Sequence, residues 1–258
     1  MPENEKALEE KAHQLLEEQD YHHAYELFKK AANIYKEKSN HSQAALCFAL
    51  AASCWAIKCG EKTFYNAAEA YELAAKEAYK ACDYEYASLL YKYAAINYER
   101  DGEYLNFSEA IYSSKDTYRK FLLFFLMKPK KLSYITDKQQ VLNFKTLMRN
   151  IFHFIALSFS FLIWGYGEKP SRTIFFGIFV ILATTISYMF GNFVYNNSVI
   201  SLNFFDALYF STITFTTVGY GDIVPVGFSK IIAICEAFIG VLTIPIFIVG
   251  FSRKYLRF

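Results

Sequence analysis

Proline is scarce, with 5 in 258 residues, and glycine numbers only 11, so little in the chain interrupts long helices. Cysteine is sparse as well. The five (Cys47, Cys54, Cys59, Cys82 and Cys235) form no C-x-x-C pair, a spacing that argues against a structural zinc site or a disulfide framework. Four of them lie in alanine-rich surroundings, where a buried thiol behaves as a small apolar residue. The five histidines are scattered, and adjacent His22 and His23 cannot point the same way on a helix. No nucleophile–base pair and no metal cluster is legible, so neither catalysis nor a cofactor is expected. No stretch carries the proline, glycine or serine bias of a disordered or fibrous protein. Residues 1–20 are acidic and polar, without the basic-then-apolar order of a secretory signal.

What charge there is sits in one half. Residues 1–150 hold 42 charged side chains and residues 151–258 only 10, in a chain that is 54% apolar and 19% aromatic. A soluble-type half is therefore joined to a lipid-type half. The net charge of +2 is a cancellation: residues 1–118 carry −7, and residues 119–150 carry +7 with Asp137 as their one acid. A basic segment just before a membrane half suits an anionic lipid surface. Nucleic acid is not expected as a partner, because the basic run is short and its neighbour acidic.

The soluble half repeats a pattern of Ala, aromatic, paired Ala and aromatic. It reads Ala24–Phe28–Ala31–Ala32–Tyr35, then Ala44–Phe48–Ala51–Ala52–Trp55, then Ala67–Tyr71–Ala74–Ala75 with Ala78–Tyr79, then Ala87–Tyr91–Ala94–Ala95–Tyr98. A degraded fifth unit runs from Ser108 through Tyr112. Spacings of three, four and seven place these residues on one helical face. Small alanines beside large aromatics let adjacent helices interlock, as an α-solenoid requires. Breaks are expected at Lys38-Ser39-Asn40, Lys58-Cys59-Gly60-Glu61, Cys82-Asp83 and Asp101-Gly102. This half, residues 1–118, resembles tetratricopeptide-like folds, more specifically the SNAP-type adaptors.

In the other half, residues 173–195 are 23 consecutive residues without a charge, about 34 Å as a helix and enough to cross a bilayer. A second apolar run covers residues 231–251, interrupted only by Glu236. Residues 196–230 between them are too short and too polar for a further crossing, so they must satisfy their backbone against protein or a wet path. There lies Thr216-Thr217-Val218-Gly219-Tyr220-Gly221-Asp222.

That run, flanked by two hydrophobic spans, resembles the TVGYG selectivity filter of potassium channels, and residues 173–258 resemble the pore domain of small bacterial two-transmembrane members. The resemblance implies a pore helix over residues 202–215 and K⁺ held by carbonyls of Thr217, Val218, Gly219 and Tyr220, one strand from each of four chains. Gly219 and Gly221 supply backbone angles that a Cβ opposes. Val218 and Tyr220 are expected to point away from the axis and wedge against Tyr209 and Phe210, with Thr216 and Asp222 flanking the filter. Ile213 stands where some of these channels carry a glutamate that pairs behind the filter, so that brace is expected to be absent. Gly165-Tyr166-Gly167-Glu168-Lys169-Pro170 before the outer helix, and Glu236, Gly240 and Arg253-Lys254 on the inner one, also match the pattern. By analogy Gly240 is a gating hinge, with close helix packing as the alternative, and Pro245 is a second weak point. Glu236, an acid inside a span, is read as a hydrogen-bonded brace. No helix carries Arg or Lys at every third position, so no voltage sensor is expected.

Residues 150–166 are 17 residues without Lys, Arg, Asp or Glu, at the lower limit for a crossing. Lys145, Arg149, His153 and Ser160 share one stripe, which favours a helix over 150–168 along the cytoplasmic interface, anchored by Trp164 and Tyr166. A full crossing is the alternative. The sequence thus predicts an all-α protein: a repeat domain over 1–118, a basic linker over 119–149 that meets anionic lipid, the interfacial helix, and the pore domain. The expected function is passive K⁺ conduction by a homotetramer in the plasma membrane, with both termini cytosolic and a ligand or protein on the repeat domain biasing the gate. The rival is a membrane-anchored adaptor with a silent pore.

Overall fold

The computed structural model describes residues 4–57, 63–127, 144–195 and 198–255. The chain divides into two compact units, Met1–Phe159 and Ser160–Phe258.

In the first unit, α1 (Glu5–Glu17), α2 (Tyr21–Glu37), α3 (His41–Ile57), α4 (Thr63–Lys80), α5 (Tyr84–Asp101) and α6 (Tyr104–Met127) each pack on their neighbours in sequence. Turns of two or three residues join α1 to α2, α2 to α3, α4 to α5 and α5 to α6, which forces each pair back on itself. The repeat pattern is the core. Ala24, Phe28, Ala31, Ala44, Ala51, Ala67, Ala74, Ala87 and Ala94 are all buried. Trp55, Tyr71, Tyr79 and Tyr91 stay partly exposed at the seams.

One turn design recurs. Gln19, Ser39 and Cys82 take a left-handed backbone (φ 62°, 58° and 62°), and the next residue caps the following helix. Asp20, Asn40 and Asp83 accept from the amides of His23, Gln43 and Tyr86. Gly102 (φ 83°) does the left-handed work between α5 and α6. The expected breaks at 38–40, 82–83 and 101–102 are in place; the one at 58–61 lies outside the described residues. The break at Gln19-Asp20 carries no glycine and was not expected.

Cys47 and Cys54 are buried, and burial pushes their thiols up to about 12 and about 11, so both act as apolar filler. Glu77 is buried but answered, by His41 at 2.7 Å and Lys80 at 2.8 Å. Ala94→Phe at the α5 seam should overpack this unit and lower its stability by about 1–3 kcal/mol; urea unfolding of a fragment of residues 1–127, followed by circular dichroism, measures it.

Two expected boundaries move. The last repeat helix does not stop at 118: Phe121, Leu122 and Phe125 are buried on α6, because their three- and four-residue spacing continues its apolar face. Residues 119–127 are therefore helix and not linker, and the rest of the predicted linker up to residue 143 lies outside the described residues. The segment expected as a helix over 150–168 belongs to α7, Phe144–Trp164, which begins earlier. Phe152, Ile155, Phe159 and Leu162 form an exposed apolar stripe on it. By length and composition Lys145–Gly167 suffices to cross a membrane, as do Ser171–Met189 and Phe228–Tyr255.

The second unit holds a 3₁₀ turn (Gly165–Gly167), α8 (Ser171–Met189), α9 (Phe204–Phe215) and α10 (Phe228–Tyr255). Three short antiparallel strands, β1 (Asn192–Tyr195), β2 (Ser198–Ile200) and β3 (Val224–Val226), pair in the order β2-β1-β3. The expected outer helix over 173–195 is thus too long: it ends at Met189, because Asn192–Tyr195 pairs on both edges. β3 follows the TTVGYGD run directly, so the sheet anchors the chain leaving that loop to the chain leaving α8.

Candidate functional site

The loop at residues 216–222 hangs from the end of α9. Asn203 caps α9 by accepting from the Asp206 amide at 2.9 Å. At the other end, Thr217 N donates to Thr214 O at 3.1 Å, while Val218 N and Gly219 N both donate to Ile213 O, at 2.9 and 3.2 Å. Three successive amides are thus drawn back to the helix. Thr217, Gly219 and Gly221 all have left-handed φ (62°, 53° and 80°). In an ordinary strand successive carbonyls point to opposite sides; placing every second residue in the left-handed region turns them to one side. The glycines were legible as left-handed positions, but Thr217 was not, since nothing in a threonine announces a positive φ.

Val218 and Tyr220 are 52% and 72% exposed in the single chain. Tyr209 does support the loop, its hydroxyl donating to Asp222 at 3.0 Å. Phe210 does not wedge the filter as expected. Its ring lies against Tyr188 and Phe193, centroids 5.0 and 5.1 Å away, in the apolar cluster that seats α9 on α8 and β1. Thr216 donates its hydroxyl to Thr212 O at 2.8 Å, closing the helix end.

The end of α9 is gripped from both sides. A Cβ on Gly177 of α8 would meet the Phe215 ring at 3.3 Å, and one on Gly240 of α10 would collide with the Phe215 carbonyl oxygen. Gly240 is therefore a close-approach glycine, the packing alternative of its two readings. Gly240→Val should push the inner helix off the end of α9 and cut ion flux at least tenfold, since overpacking by a branched side chain costs ~1–3 kcal/mol per chain; liposome flux measures it. Pro245 sits inside the unbroken α10, where it withholds one backbone hydrogen bond.

Glu236 is 1% exposed. Its Oε1 accepts from Thr184 at 2.6 Å and Ser211 at 2.5 Å, and its Oε2 from Tyr188 at 2.6 Å. One carboxyl ties the inner helix to the outer helix and to α9. These three partners lie on α8 and α9 and not in the 216–222 loop, so this tie differs in place from the brace expected to be missing at Ile213. Sequence reading found the acid but not its partners, which lie 25 to 52 positions away.

The N-terminal end of α8 and the C-terminal end of α10 lie together, with Gly250 against Pro170. The two long helices thus run antiparallel, and the C-terminal end of α9 meets both of them part-way along, at Gly177 and Gly240. That arrangement agrees with a family match. Residues 174–257 match a family described as an ion channel. Over those residues the second unit is similar to an ion-channel domain. No curated protein and no solved structure matches the chain. Residues 174–257 take in most of α8 and α10, both long and apolar enough to cross a membrane, with α9 and its loop between them in sequence.

Proposed function

We propose that the chain is a potassium-selective channel, assembled as a homotetramer around residues 217–221. The observation that carries this reading is the alternating hand of Thr217, Gly219 and Gly221 with three amides tied back to the pore helix. Carbonyls turned to one side can replace the hydration shell of K⁺ at Thr217, Val218, Gly219 and Tyr220. One such strand coordinates little; four around an axis make a cage. Val218 and Tyr220, exposed in one chain, are the surfaces that neighbouring strands and pore helices would cover. The C-terminal end of α9, which carries the partial negative charge of its dipole, feeds the loop on the side where a cation must dehydrate. The channel is passive and needs no cofactor beyond the permeant ion. Its gate lies along α10, where Pro245 weakens the helix.

The N-terminal helices, with their tetratricopeptide-like pattern, regulate that gate through a ligand or protein, and the basic segment between the units meets anionic lipid. The test is K⁺ flux from liposomes against a Na⁺ control, on protein whose mass in detergent is measured. Selective flux from a four-chain particle supports the reading, whereas a tetramer that is silent under all conditions favours the adaptor. Recording with and without residues 1–127 tests the regulation.

The plasma-membrane topology follows from charge. Lys169 and Arg172 flank the start of α8, Arg253 and Lys254 its neighbour's end, and no Lys or Arg lies in residues 190–222. These ends are cytosolic by the positive-inside rule. With α7 along the interface, the acidic repeats and both termini are cytosolic too. Cysteines introduced singly at Glu103 and Val199 in a cysteine-free chain should then differ in intact cells. Val199→Cys reacts with an impermeant maleimide and Glu103→Cys does not; labelling at Glu103 would mean that α7 crosses.

A further inference from the structure

Between α7 and α8 the chain makes a tight elbow over residues 165–170. Gly165, Tyr166 and Gly167 all have left-handed φ (54°, 62° and 88°), an arrangement a tyrosine adopts only when its surroundings impose it. Those surroundings are visible. Tyr166 is fully buried against Phe161. Arg172, in the first turn of α8, donates to Phe161 O at 2.8 Å and lies 4.4 Å above the Phe161 ring. Glu168 N and Lys169 N return to Gly165 O and Trp164 O, at 3.1 and 3.3 Å. The elbow is a rigid block fixed to the end of α7 and the start of α8.

On this block rests the tip of the inner helix. Glu168 is 1% exposed, and its Oε1 accepts from Arg253 Nη2 at 3.2 Å. Gly250 lies against Pro170 and the Gly167 carbonyl, where a Cβ would meet them at 3.7 and 3.9 Å. Gly167 in turn leaves room for the guanidinium, since a Cβ there would meet Arg253 Nη1 at 3.3 Å. The contact is on the last turn of α10, beyond Pro245, the part of the helix that a bend at the proline would swing. The pair is half-buried, with the Arg253 side chain 38% exposed and Glu168 enclosed; removing the guanidinium leaves a buried carboxylate without this partner, which is the costlier side to lose.

We propose that the elbow is a gate latch. Glu168 holds Arg253, and with it the tip of the inner helix, so the gate moves only when this pair parts. The proposal rests on the channel reading above. It also gives the N-terminal unit a lever, because α7 runs directly into the elbow and is the chain's covalent route to the pore.

The test records the full chain in planar bilayers. Glu168→Gln and Arg253→Gln should each change open probability about fivefold or more, in the same direction, with K⁺ over Na⁺ permeability unchanged. The double variant should match either single, and the charge swap Glu168→Arg with Arg253→Glu should move back toward the parent. Additive singles or opposite directions would overturn the latch. A second readout needs no conduction. Spin labels at Phe175→Cys and Tyr255→Cys, in a cysteine-free chain diluted into unlabelled protein, should give one narrow distance that broadens in both Gln variants. If the parent passes no K⁺, the channel reading fails while this distance still judges the latch, which an unbroadened distribution in both variants would refute.

Discussion

Channels carrying Gly219→Ala should lose their preference for K⁺ over Na⁺, seen as a reversal potential that no longer follows the K⁺ gradient. Gly219 has φ 53°, and a Cβ built on it meets nothing within 4 Å of its own chain. The substitution therefore acts through backbone conformation before any clash. A left-handed alanine costs roughly 1–2 kcal/mol per residue relative to the right-handed forms, and in the proposed tetramer that cost recurs in every chain. Relaxing to negative φ would turn the carbonyl next to residue 219 away from its neighbours and open a gap in the row. Gly102→Ala is the control. It too is left-handed, at φ 83°, with nothing within 4 Å, but it closes a turn between α5 and α6. It should lower the stability of the repeat unit by about 1 kcal/mol and leave ion preference alone. Retained K⁺ selectivity in Gly219→Ala would remove residues 217–221 from the conduction path.

Much of this was legible in residue types. The alanine–aromatic repeat announced its own core, since Ala31, Ala51, Ala74 and Ala94 are fully buried where the spacing put them. Gly219 and Gly221 announced left-handed positions because only glycine takes them freely. What was not legible depends on partners. β1 reads Asn-Phe-Val-Tyr, as apolar as the helix before it, and hydropathy alone cannot tell a paired strand from one more membrane turn. The far end of α6 was hidden by Arg119 and Lys120, whose charge drew the boundary at 118 although Phe121, Leu122 and Phe125 kept the helical spacing. Phe210 lies next in sequence to the loop-supporting Tyr209, yet on a helix adjacent residues diverge by about 100°, which sends its ring to Tyr188 and Phe193. Thr217 is left-handed because it closes α9, with its own amide bonded to Thr214 O and the next to Ile213 O, the same helix-end pattern that makes Gln19, Ser39 and Cys82 left-handed; none of these residue types announces it.

Glu236 provides the sharpest energetic contrast. Its carboxyl receives three hydroxyls, and they differ in what they can do without it. Thr184 lies 2.9 Å from Val180 O and Ser211 3.1 Å from Ile181 O, so each has a backbone carbonyl to fall back on. Tyr188 is fully buried among Phe193 and Phe210, and Glu236 is the partner its hydroxyl meets. Glu236→Leu should thus concentrate its cost at that phenol, about 1–3 kcal/mol per chain for a buried donor left unsatisfied. It should also lower K⁺ flux, because Ser211 loses its tether and α9 its register. Tyr188→Phe in the parent should destabilise by about 0.5–1.5 kcal/mol, the usual value of one hydrogen bond. In the Glu236→Leu background the same change removes the stranded hydroxyl and should stabilise. That inversion of sign, read from thermal unfolding of detergent-solubilised protein, is the diagnostic. Glu236→Gln, which keeps an acceptor oxygen, should fall between parent and Leu. If Tyr188→Phe is equally destabilising in both backgrounds, the phenol does not depend on this carboxyl, and the tie between the outer and inner helices is apolar packing alone.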